Sequence, residues 1–550
     1  MTDWAHEYDL LIIGSGGGGM TAALVAKLEG LNPLILEKTD YYGGSTALSG
    51  GGVWVPNNHL MAEVGISDSM ENARMYMENT VGDRVPKANQ EAYISRANEM
   101  LKYLEKHSHV QFEIMRGYPD YYPEQPGAKT DGRSLGPVVF RGDKLGKTYH
   151  KLRPHQYINQ LAFTADEYKQ MALYKTNPAY LLTTLKVMLR NLKNNLFRQH
   201  LVSFGRSLIT MLCLSLQERN VPLWLNTAVK NLIVEDGTVV GVEAEQDGKK
   251  LNIRANKGVI MAAGGFPRNQ KMRKQYFQQP VNTEWTSANE GNTGDAINMG
   301  MELDAAVDLM EDAWWGPSTV AFEGSALFLV AERAYPGAIM VNSAGKRFVN
   351  ESAPYTDVVK TMYDTNTDKV ESIPAHFVMD HRFRSKYFLG KLFPGITPKK
   401  YYKEGHITKA DTIEKLANKL NINPTGLVET IKRFNEFAGT GKDLDFKRGD
   451  SVYDQFYADP KVGPNPCLAP IDKPPYYSLR LYPGDIGTKG GLVTNDRAQV
   501  LKNDGTVIEG LYAVGNTAAS VMGNSYPGAG STIGPSMTFG YIAARHVAGN

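Results

Sequence analysis

The chain has 550 residues, of which 42% are hydrophobic and 21% are charged. This composition is ordinary for a folded globular protein and excludes a mostly disordered chain. Sixty Lys and Arg against 58 Asp and Glu leave a net charge of +2, which argues against a nucleic-acid-binding protein. Two cysteines exclude a disulfide framework, and none of the eleven histidines has the spacing of a metal site, so we expect no metal.

The N-terminus is acidic, and its apolar run is too short for a signal peptide. No window of about 20 uncharged apolar residues exists, so the sequence predicts no membrane span. We therefore expect a cytoplasmic protein.

The first forty residues indicate a strand over 8–13, a glycine-rich turn, a helix over 20–28 and a second strand over 33–36 that ends at Glu37. The turn has the G-x-G-x-x-G spacing at Gly14, Gly16 and Gly19. In such a unit the glycines permit a tight turn and close contact with a pyrophosphate, and the helix N-terminus attracts the phosphates. An acid at the position of Glu37 accepts hydrogen bonds from the adenosine ribose. The sequence therefore predicts a dinucleotide site.

A second loop, 38–52, is rich in glycine and hydroxyl residues and follows Glu37 directly. A nicotinamide cofactor does not need this loop, whereas the longer flavin half of FAD needs further backbone and hydroxyl donors. We therefore predict FAD, held without a covalent bond. The predicted cofactor-binding residues are Gly14, Ser15, Gly16, Gly17, Gly18, Glu37, Lys38, Thr39, Gly43, Gly44, Ser45, Ser49, Gly50, Gly51, Val229, Ala263, Gly264, Asp295, Gly515, Asn516 and Ile533.

Later segments of the chain also predict elements that reach the cofactor. Short strands are expected within 223–242, with a hairpin turn at Asp236-Gly237, and two further strands, 258–266 and 510–516, end in small residues suited to a close approach to the cofactor. A final helix is expected to begin at Pro535, with its positive end toward the flavin.

Cofactor segments at both ends of the chain imply that the middle is an insertion. The predicted fold class is α/β, with a Rossmann-like FAD-binding domain formed by 1–284 and 488–550. An inserted α+β catalytic domain, 285–487, is expected to cap the substrate.

These segments together, including GSGGGG, LEKTDYYGGST, NTGDAI and LYAVGN, resemble the flavoprotein family that contains fumarate reductases and 3-ketosteroid dehydrogenases. Three tyrosine-bearing segments are similar to the catalytic segments of the 3-ketosteroid Δ1-dehydrogenases: YPDYYP, NESAPY and SYPGAG. The resemblance maps the catalytic tyrosines onto Tyr121, Tyr355 and Tyr526, and a catalytic backbone amide onto Gly530.

The resemblance implies a 1,2-desaturation of 3-ketosteroids in steroid degradation. Tyr526 and the Gly530 amide would bind the 3-keto oxygen, and Tyr355, assisted by Tyr121, would take a proton from carbon 2. Hydride from carbon 1 would go to flavin N5. Alternatives are a fumarate reductase-like or Δ4-type dehydrogenase, or a flavin electron carrier without this catalysis.

The segment 168–217 contains no acidic residue but seven basic ones. Within it, one side of a helical wheel holds Leu181, Leu182, Leu185, Met188, Leu189, Leu192 and Leu196, with Lys186, Arg190 and Lys193 beside them. This pattern indicates either a helix that lies in a membrane surface or one that covers the protein's own core. The first alternative treats about 155–207 as a membrane-associating insertion. It places the enzyme on the inner face of the cytoplasmic membrane, where ketosteroids and a quinone or other electron acceptor dissolve.

Overall fold

The computed structural model describes residues 3–155, 161–323 and 326–550. An eight-stranded sheet includes strands from both the N-terminal and the C-terminal part of the chain, and five of its strands run parallel. In spatial order the strands are Gln499–Leu501, Val507–Ala513, Lys249–Met261, His6–Ile13, Pro33–Leu36 and Leu223–Trp224, with the hairpin Thr227–Glu235 and Thr238–Gln246 attached to Lys249–Met261. Helices Gly17–Leu28 and Ile533–Ala548 pack against each other beside it. The predicted Rossmann-like α/β core is confirmed.

The glycine turn shows why those residues are small. Gly14 has a φ of +108°, and a Cβ there would lie 2.4 Å from the carbonyl oxygen of Ala262. A Cβ on Gly19 would lie 2.3 Å from the carbonyl oxygen of Gly14. Both glycines are therefore required for the close packing of the first helix on the sheet.

Two helix starts differ from expectation. The first helix begins at Gly17 rather than near Met20, so three glycines of the motif form its first turn. The last helix begins at Ile533, and Pro535 occupies its third position, not its first. Proline is tolerated there because the amides of the first turn have no partner inside the helix. The hairpin turn at Asp236-Gly237 is confirmed, since both residues have positive φ, 48° and 80°.

A second sheet of six antiparallel strands comes from the middle of the chain. Its order is Leu327–Phe328, Ala313–Thr319, Tyr476–Thr488, Ala375–Met379 and Ala338–Val341, with Ile407–Ala410 also paired to Tyr476–Thr488. The helices between Met261 and Tyr476 are Gln270–Tyr276, Asp295–Met301, Tyr355–Asp364, His381–Lys386, Lys399–Lys403, Ile413–Leu420, Pro424–Thr440 and Val452–Phe456. These strands lie within or one residue beyond the predicted inserted domain 285–487, whose boundaries stay a prediction.

A helical layer follows the second glycine loop. It comprises His59–Glu63, Met70–Thr80, Lys87–His107, Ala165–Ala172, Tyr180–Phe197 and Phe204–Gln217. Small sheets brace it: Val53–Trp54, Phe112–Ile114 and Ser134–Pro137 form one, and Phe140–Arg141 with Leu201–Val202 the other. None of the helices in the described ranges is long and apolar enough to cross a bilayer.

The helix Tyr180–Phe197 is called the insertion helix below. Its orientation contradicts one of the two expectations. Its apolar side chains point away from the protein, with exposed fractions from 51% to 75% at Leu181, Leu182, Leu185, Met188, Leu189, Leu192, Leu196 and Phe197. Val187, Asn191 and Asn194 form its buried side. The interpretation that the leucines cover the protein's own core is therefore wrong. Residues 156–160, inside the predicted insertion 155–207, lie outside the described residues.

Polar contacts attach this helix to the protein. Asn191 accepts a hydrogen bond from the Ala162 amide (2.8 Å), and Asn194 accepts one from the Leu201 amide (2.9 Å). The Arg190 guanidinium forms an ion pair of 2.6 Å with Glu167 on the preceding helix. The helix is thus amphipathic with its polar side inward, the reverse of an ordinary surface helix.

Candidate active site

One cavity of about 830 Å³ runs between the parallel sheet and the antiparallel sheet. Its walls include all the predicted catalytic residues and all the predicted cofactor-binding residues except Thr39 and Gly43. The structure thus brings together segments that lie as far apart in sequence as Gly14 and Ile533. The individual roles of these residues stay predictions.

Glu37 marks one end of the cavity and is buried. One carboxylate oxygen accepts a hydrogen bond of 2.6 Å from the Ser15 hydroxyl, and the other accepts two from Thr39, from its amide (3.0 Å) and its hydroxyl (2.7 Å). Thr39 therefore orients Glu37 from outside the cavity. Gly43 likewise supports the wall, because its amide donates to Ser15 (3.0 Å).

Hydrogen bonds also tie the loop after Glu37 to the segment 289–295. Lys38 forms an ion pair of 2.6 Å with Asp295. Ser45 accepts hydrogen bonds from the Asn289 amide (3.1 Å) and the Asn292 side chain (2.9 Å). Both asparagines line the cavity, and neither was predicted as a site residue. Asn292 begins the motif NTGDAI, which was the available signal, whereas Asn289 lies outside the quoted motifs.

The start of the last helix, Ile533–Ala548, reaches the same cavity through Ile533 and Ser536. Gly18 lies so close to this helix that a Cβ on it would be 2.3 Å from the Ser536 hydroxyl. Amides at two helix N-termini, after Gly16 and after Thr532, therefore face one elongated space. This arrangement fits FAD, since helix N-termini stabilise a negatively charged pyrophosphate and a reduced flavin ring.

Tyr121, Tyr355 and Tyr526 meet at the other end of the cavity. Their ring centroids are 5.1 to 5.4 Å apart in every pairing. The hydroxyls of Tyr121 and Tyr355 share a hydrogen bond of 2.6 Å, and the Tyr526 ring meets the Tyr355 ring edge to face. All three side chains are buried. A short bond between two phenols allows a proton to move from one to the other.

Backbone contacts hold these three segments together. The Tyr121 amide donates to the Pro527 carbonyl at 2.9 Å, and the same oxygen accepts from the Tyr76 hydroxyl at 2.7 Å. Asp120 is fixed by Trp54 (2.7 Å) and Arg133 (2.8 Å), so the loop that carries Tyr121 has little freedom. The tyrosines are therefore positioned before a substrate binds.

Burial raises the pKa of Tyr355 and of Tyr121 well above the ordinary phenol value, and the hydrogen bond between them lowers that of Tyr355. Two further features favour a Tyr355 phenolate. Tyr355 is the first residue of the helix Tyr355–Asp364, at its positive end. The buried Arg333 guanidinium, held by the carbonyls of Leu329, Glu351 and Ala353, lies near the same ring. Arg333 gave no signal in the sequence.

Tyr526 and Gly530 are suited to bind a carbonyl oxygen. Burial raises the pKa of Tyr526 to about 12, so its hydroxyl stays a donor near neutral pH. Gly530 has a φ of +101°, and a Cβ there would lie 2.4 Å from the Val53 backbone. The glycine is thus needed to bring its backbone against the cavity wall. No arginine is among the described residues that line the cavity.

The fold and the cavity define a flavin-dependent oxidoreductase, and comparison with known proteins gives the family. The model of the family described as "FAD binding domain" matches residues 9–533. A 3-oxosteroid 1-dehydrogenase of Mycolicibacterium smegmatis is 44% identical, over 99% of this chain and 97% of that protein. The chain therefore belongs to this FAD-binding family, in the group of the 3-oxosteroid 1-dehydrogenases, and its cofactor is FAD.

Two further matches describe the breadth of that group. The crystal structure of a 3-ketosteroid Δ1-dehydrogenase from Sterolibacterium denitrificans, in complex with 1,4-androstadiene-3,17-dione, has a TM-score of 0.96 and 39% identity, covering 99% of this chain and 100% of that one. A 4-oxocyclohexanecarboxylate 2-dehydrogenase of Sinomonas cyclohexanicum is 32% identical, over 98% of this chain and 93% of that protein. The group thus includes enzymes whose names specify a steroid and a single-ring ketone.

Proposed function

We propose that this chain is an FAD-dependent enzyme that removes hydrogen from carbon 1 and carbon 2 of a 3-ketosteroid. The observation that carries the proposal is the contact of Tyr121, Tyr355 and Tyr526 in one buried cluster, with ring centroids 5.1 to 5.4 Å apart. The steroid names and ligand of the relatives at 44% and 39% identity support the choice of substrate class.

The reaction needs an acid–base arrangement that the cluster provides. A hydrogen on carbon 2 becomes acidic only when the neighbouring carbonyl is polarised, and Tyr526 with the Gly530 amide supplies two donors for the 3-keto oxygen. Tyr355 takes the proton, and its bond of 2.6 Å to Tyr121 stabilises the base form. Bound FAD supplies the acceptor for the hydride from carbon 1.

The character of the walls favours a neutral, apolar substrate over a dicarboxylate. Two carboxylates require several positively charged donors, usually arginines. The tyrosine end of the cavity instead combines phenols with Met115, Phe328 and Ile486. Among the described residues that line the cavity there is no arginine, so the arginine pair expected of a fumarate reductase-like activity is missing there.

Anaerobic mixing with androst-4-ene-3,17-dione tests the proposal. We expect the yellow flavin absorbance to bleach and the steroid to become the 1,4-dien-3-one. Reduction of fumarate without steroid oxidation would favour the first alternative, and desaturation of a saturated ring at the 4-position would favour a Δ4-type enzyme. An FAD-loaded protein with no reaction in any of these assays would be an electron carrier.

We also propose that the insertion helix docks the enzyme on an anionic membrane surface in the cytoplasm. Eight large apolar side chains of this helix are at least half exposed, a concentration that water alone does not favour. Lys186, Lys193 and Arg198 are exposed on the same helix or at its end, as in helices that lie in an anionic bilayer surface.

The mouth of the cavity lies beside this helix, which supports uptake of substrate from lipid. Leu161, Tyr168 and Phe393 line the cavity and are exposed by 38% to 58%. Lys175, between the helices Ala165–Ala172 and Tyr180–Phe197, donates to the Pro394 carbonyl at 3.1 Å. A ketosteroid, and a quinone as electron acceptor, would then reach the cavity without crossing water.

Flotation with liposomes that contain anionic lipid tests the membrane proposal at low salt. We expect the enzyme to float with the liposomes and to be partly released by high salt, because cations contribute to binding. Protein that stays in the soluble fraction at low salt would contradict this part of the proposal and leave the dehydrogenase activity unaffected.

A further inference from the structure

A lysine is completely buried beside the segment that carries Tyr526. Lys489 follows the strand Tyr476–Thr488 and has no exposed surface. Its ammonium group forms an ion pair of 3.1 Å with Asp312 and donates a hydrogen bond of 3.0 Å to the backbone carbonyl of Ser525. Ser525 directly precedes Tyr526, so this lysine holds the start of the segment that carries both donors to the 3-keto oxygen.

The same ammonium group also reaches Tyr526 through a second residue. It lies 4.9 Å from the centre of the Trp314 ring, a cation–π distance. The Trp314 ring meets the Tyr526 ring edge to face, with centroids 4.8 Å apart, and its N–H donates to the Asn516 side chain at 3.1 Å. Lys489 therefore contacts both the backbone before Tyr526 and the ring that packs on its side chain.

Asp312 holds the lysine in place. One carboxylate oxygen pairs with Lys489, and the other accepts hydrogen bonds from the Ala313 amide (2.8 Å) and the Trp315 indole (2.7 Å). The backbone amide of Lys489 also donates to the Asp312 carbonyl at 3.0 Å. Because Asp312 is buried and bound through both carboxylate oxygens, the ammonium group has little freedom to move.

The stability of the fold does not by itself explain why this charge is buried. Removing an ammonium group from water carries a large desolvation penalty, and a buried ion pair can often be replaced by apolar residues without loss of stability. A buried pair can instead fix one particular arrangement of the groups around it. Here the groups that it fixes are the Ser525 carbonyl and the Trp314 ring, the two neighbours of Tyr526.

From this geometry we propose that Lys489 is a positioning residue for the two donors that bind the 3-keto oxygen, Tyr526 and the Gly530 amide. The inference rests on the proposed function. Lys489 is not among the described residues that line the cavity, so it acts through Tyr526 rather than on the substrate. A misplacement of about 1 Å at a reacting centre costs on the order of 10²-fold in rate, so loss of this support should lower turnover.

This support does not depend on the charge of the lysine. Burial lowers the pKa of Lys489 to about 8, while the Asp312 carboxylate raises it and the neighbouring Lys360 lowers it. An amine that has lost its proton keeps two N–H donors, one for Asp312 and one for the Ser525 carbonyl. Lys489 therefore holds the segment on both sides of its pKa and adds no decline to the pH dependence of the reaction.

Lys360 offers a matched control on the same segment. Its ammonium group donates to the Asn524 carbonyl at 2.6 Å and lies 3.8 Å from Asp312. It therefore contacts the same carboxylate as Lys489 and the carbonyl next to that of Ser525. Its side chain is 38% exposed, so a Lys360→Met variant removes a lysine from the outer side of the segment only.

The first measurement compares kcat and KM with androst-4-ene-3,17-dione for Lys489→Met and Lys360→Met. We expect kcat of Lys489→Met to fall by about 10- to 100-fold and KM to change by less than about three-fold, because the donors act mainly as charge develops on the oxygen. Lys360→Met should stay within about two-fold of wild type, since exposed ion pairs contribute little.

FAD content reports whether each variant is folded. If Lys489→Met does not hold FAD, Lys489→Gln takes its place, because the glutamine amide is one atom shorter but still offers N–H donors to the Ser525 carbonyl. We expect Lys489→Gln to keep more activity than Lys489→Met and less than wild type.

The second measurement reports the hydrogen bonds to the 3-keto oxygen directly. With the flavin reduced beforehand, the bound steroid is not dehydrogenated, and infrared difference spectra of a steroid with an isotope-labelled 3-keto group give its stretching frequency. Hydrogen bonds to the oxygen lower this frequency. We expect the frequency in Lys489→Met to lie closer to that of the free steroid than it does in wild type, and Lys360→Met to match wild type.

A double variant tests whether the lysine acts through Tyr526. In the Tyr526→Phe background, Lys489→Met should lower kcat by less than about three-fold, because the effects of residues that act through one group are not additive. An equal loss in both backgrounds would overturn the proposal.

Three further results would overturn it. These are near-normal kcat in Lys489→Met with FAD bound, an equal loss in Lys360→Met, and loss of FAD from both Lys489 variants, which would show that the residue supports the fold as a whole. A wild-type enzyme that forms no 1,4-dien-3-one would instead refute the proposed function, so the two failures are distinguishable.

Discussion

The tyrosine cluster and the insertion helix both reverse the usual distribution of polar and apolar groups. In the cluster, the hydroxyls of Tyr121, Tyr355 and Tyr526 lie in the interior. On the helix, large apolar side chains such as Leu182, exposed by 75%, point into solvent. A folded chain ordinarily avoids both arrangements.

The two regions differ in whether their polar or apolar side chains find interaction partners within the protein. The buried hydroxyls of Tyr121 and Tyr355 satisfy each other through a bond of 2.6 Å, so this pair finds its partners within the chain. The leucines of the insertion helix stay more than half exposed within the described part of the chain, so their apolar surface is left to water. Buried polar groups that hydrogen-bond to one another indicate chemistry inside the protein. An apolar face that stays exposed to water indicates a partner outside it.

The largest effect is expected from Tyr355→Phe, which removes the proposed base from the tyrosine cluster. We expect the rate of flavin bleaching by ketosteroid to fall by about 10²- to 10⁴-fold, the usual contribution of a general base. FAD should be retained, because the glycine turn is untouched. Near-normal turnover in this variant would contradict the assignment of the base.

A smaller loss is expected from Tyr526→Phe, which removes a donor to the 3-keto oxygen. Loss of one such donor costs about 10²- to 10³-fold in turnover. Because the donor acts mainly when charge develops on the oxygen, kcat should fall more than KM rises. A change confined to KM would show that Tyr526 only binds the substrate.

The pH dependence of flavin bleaching tests how the cluster ionises. Burial raises the pKa of Tyr355 and Tyr121, so their shared base form becomes more abundant as pH rises, and the rate should increase by up to about ten-fold per pH unit. Tyr526, with a pKa raised to about 12, keeps its proton throughout, so no decline is expected below about pH 10. A decline between about pH 7 and about pH 9 would contradict this ionisation order.

The smallest catalytic effect is expected from Leu185→Glu with Leu189→Glu on the insertion helix. Both side chains are more than half exposed, so stability should change by less than about 1 kcal/mol and activity on dissolved steroid should be unchanged. Flotation with anionic liposomes should be lost.

Val187→Ala on the same helix is the matched control. Val187 is fully buried, so its loss should lower the unfolding free energy by about 1 to 3 kcal/mol while flotation persists. If the glutamate pair still floats as wild type does, the apolar face is not the docking surface.

Features that depend on one local pattern could be predicted from the sequence. The strand Pro33–Leu36 and the glycine turn were predicted because their requirements are met by neighbouring residues. Asn292 and Arg333 were not predicted as site residues. They reach the site through contacts with Ser45 and with the segment before Tyr355. Asn292 begins the motif NTGDAI, but the motif alone does not reveal the contact with Ser45, and the sequence around Arg333 carries no signal.

The insertion helix shows a second kind of limit. Its periodicity correctly indicated a two-sided helix, yet periodicity does not say which side faces the protein. The hydrogen bonds that Asn191 and Asn194 accept from the amides of Ala162 and Leu201 decided the orientation, and those donors belong to other segments.

The sequence by itself determined the α/β class, the FAD cofactor and the three tyrosines that resemble a ketosteroid dehydrogenase, because glycine spacing and short motifs are local properties. Only the tertiary structure decided that these tyrosines touch and that the leucines of the insertion helix face outward. Distances between remote segments and the direction of a helix face depend on packing of the whole chain, which no short stretch of residues encodes.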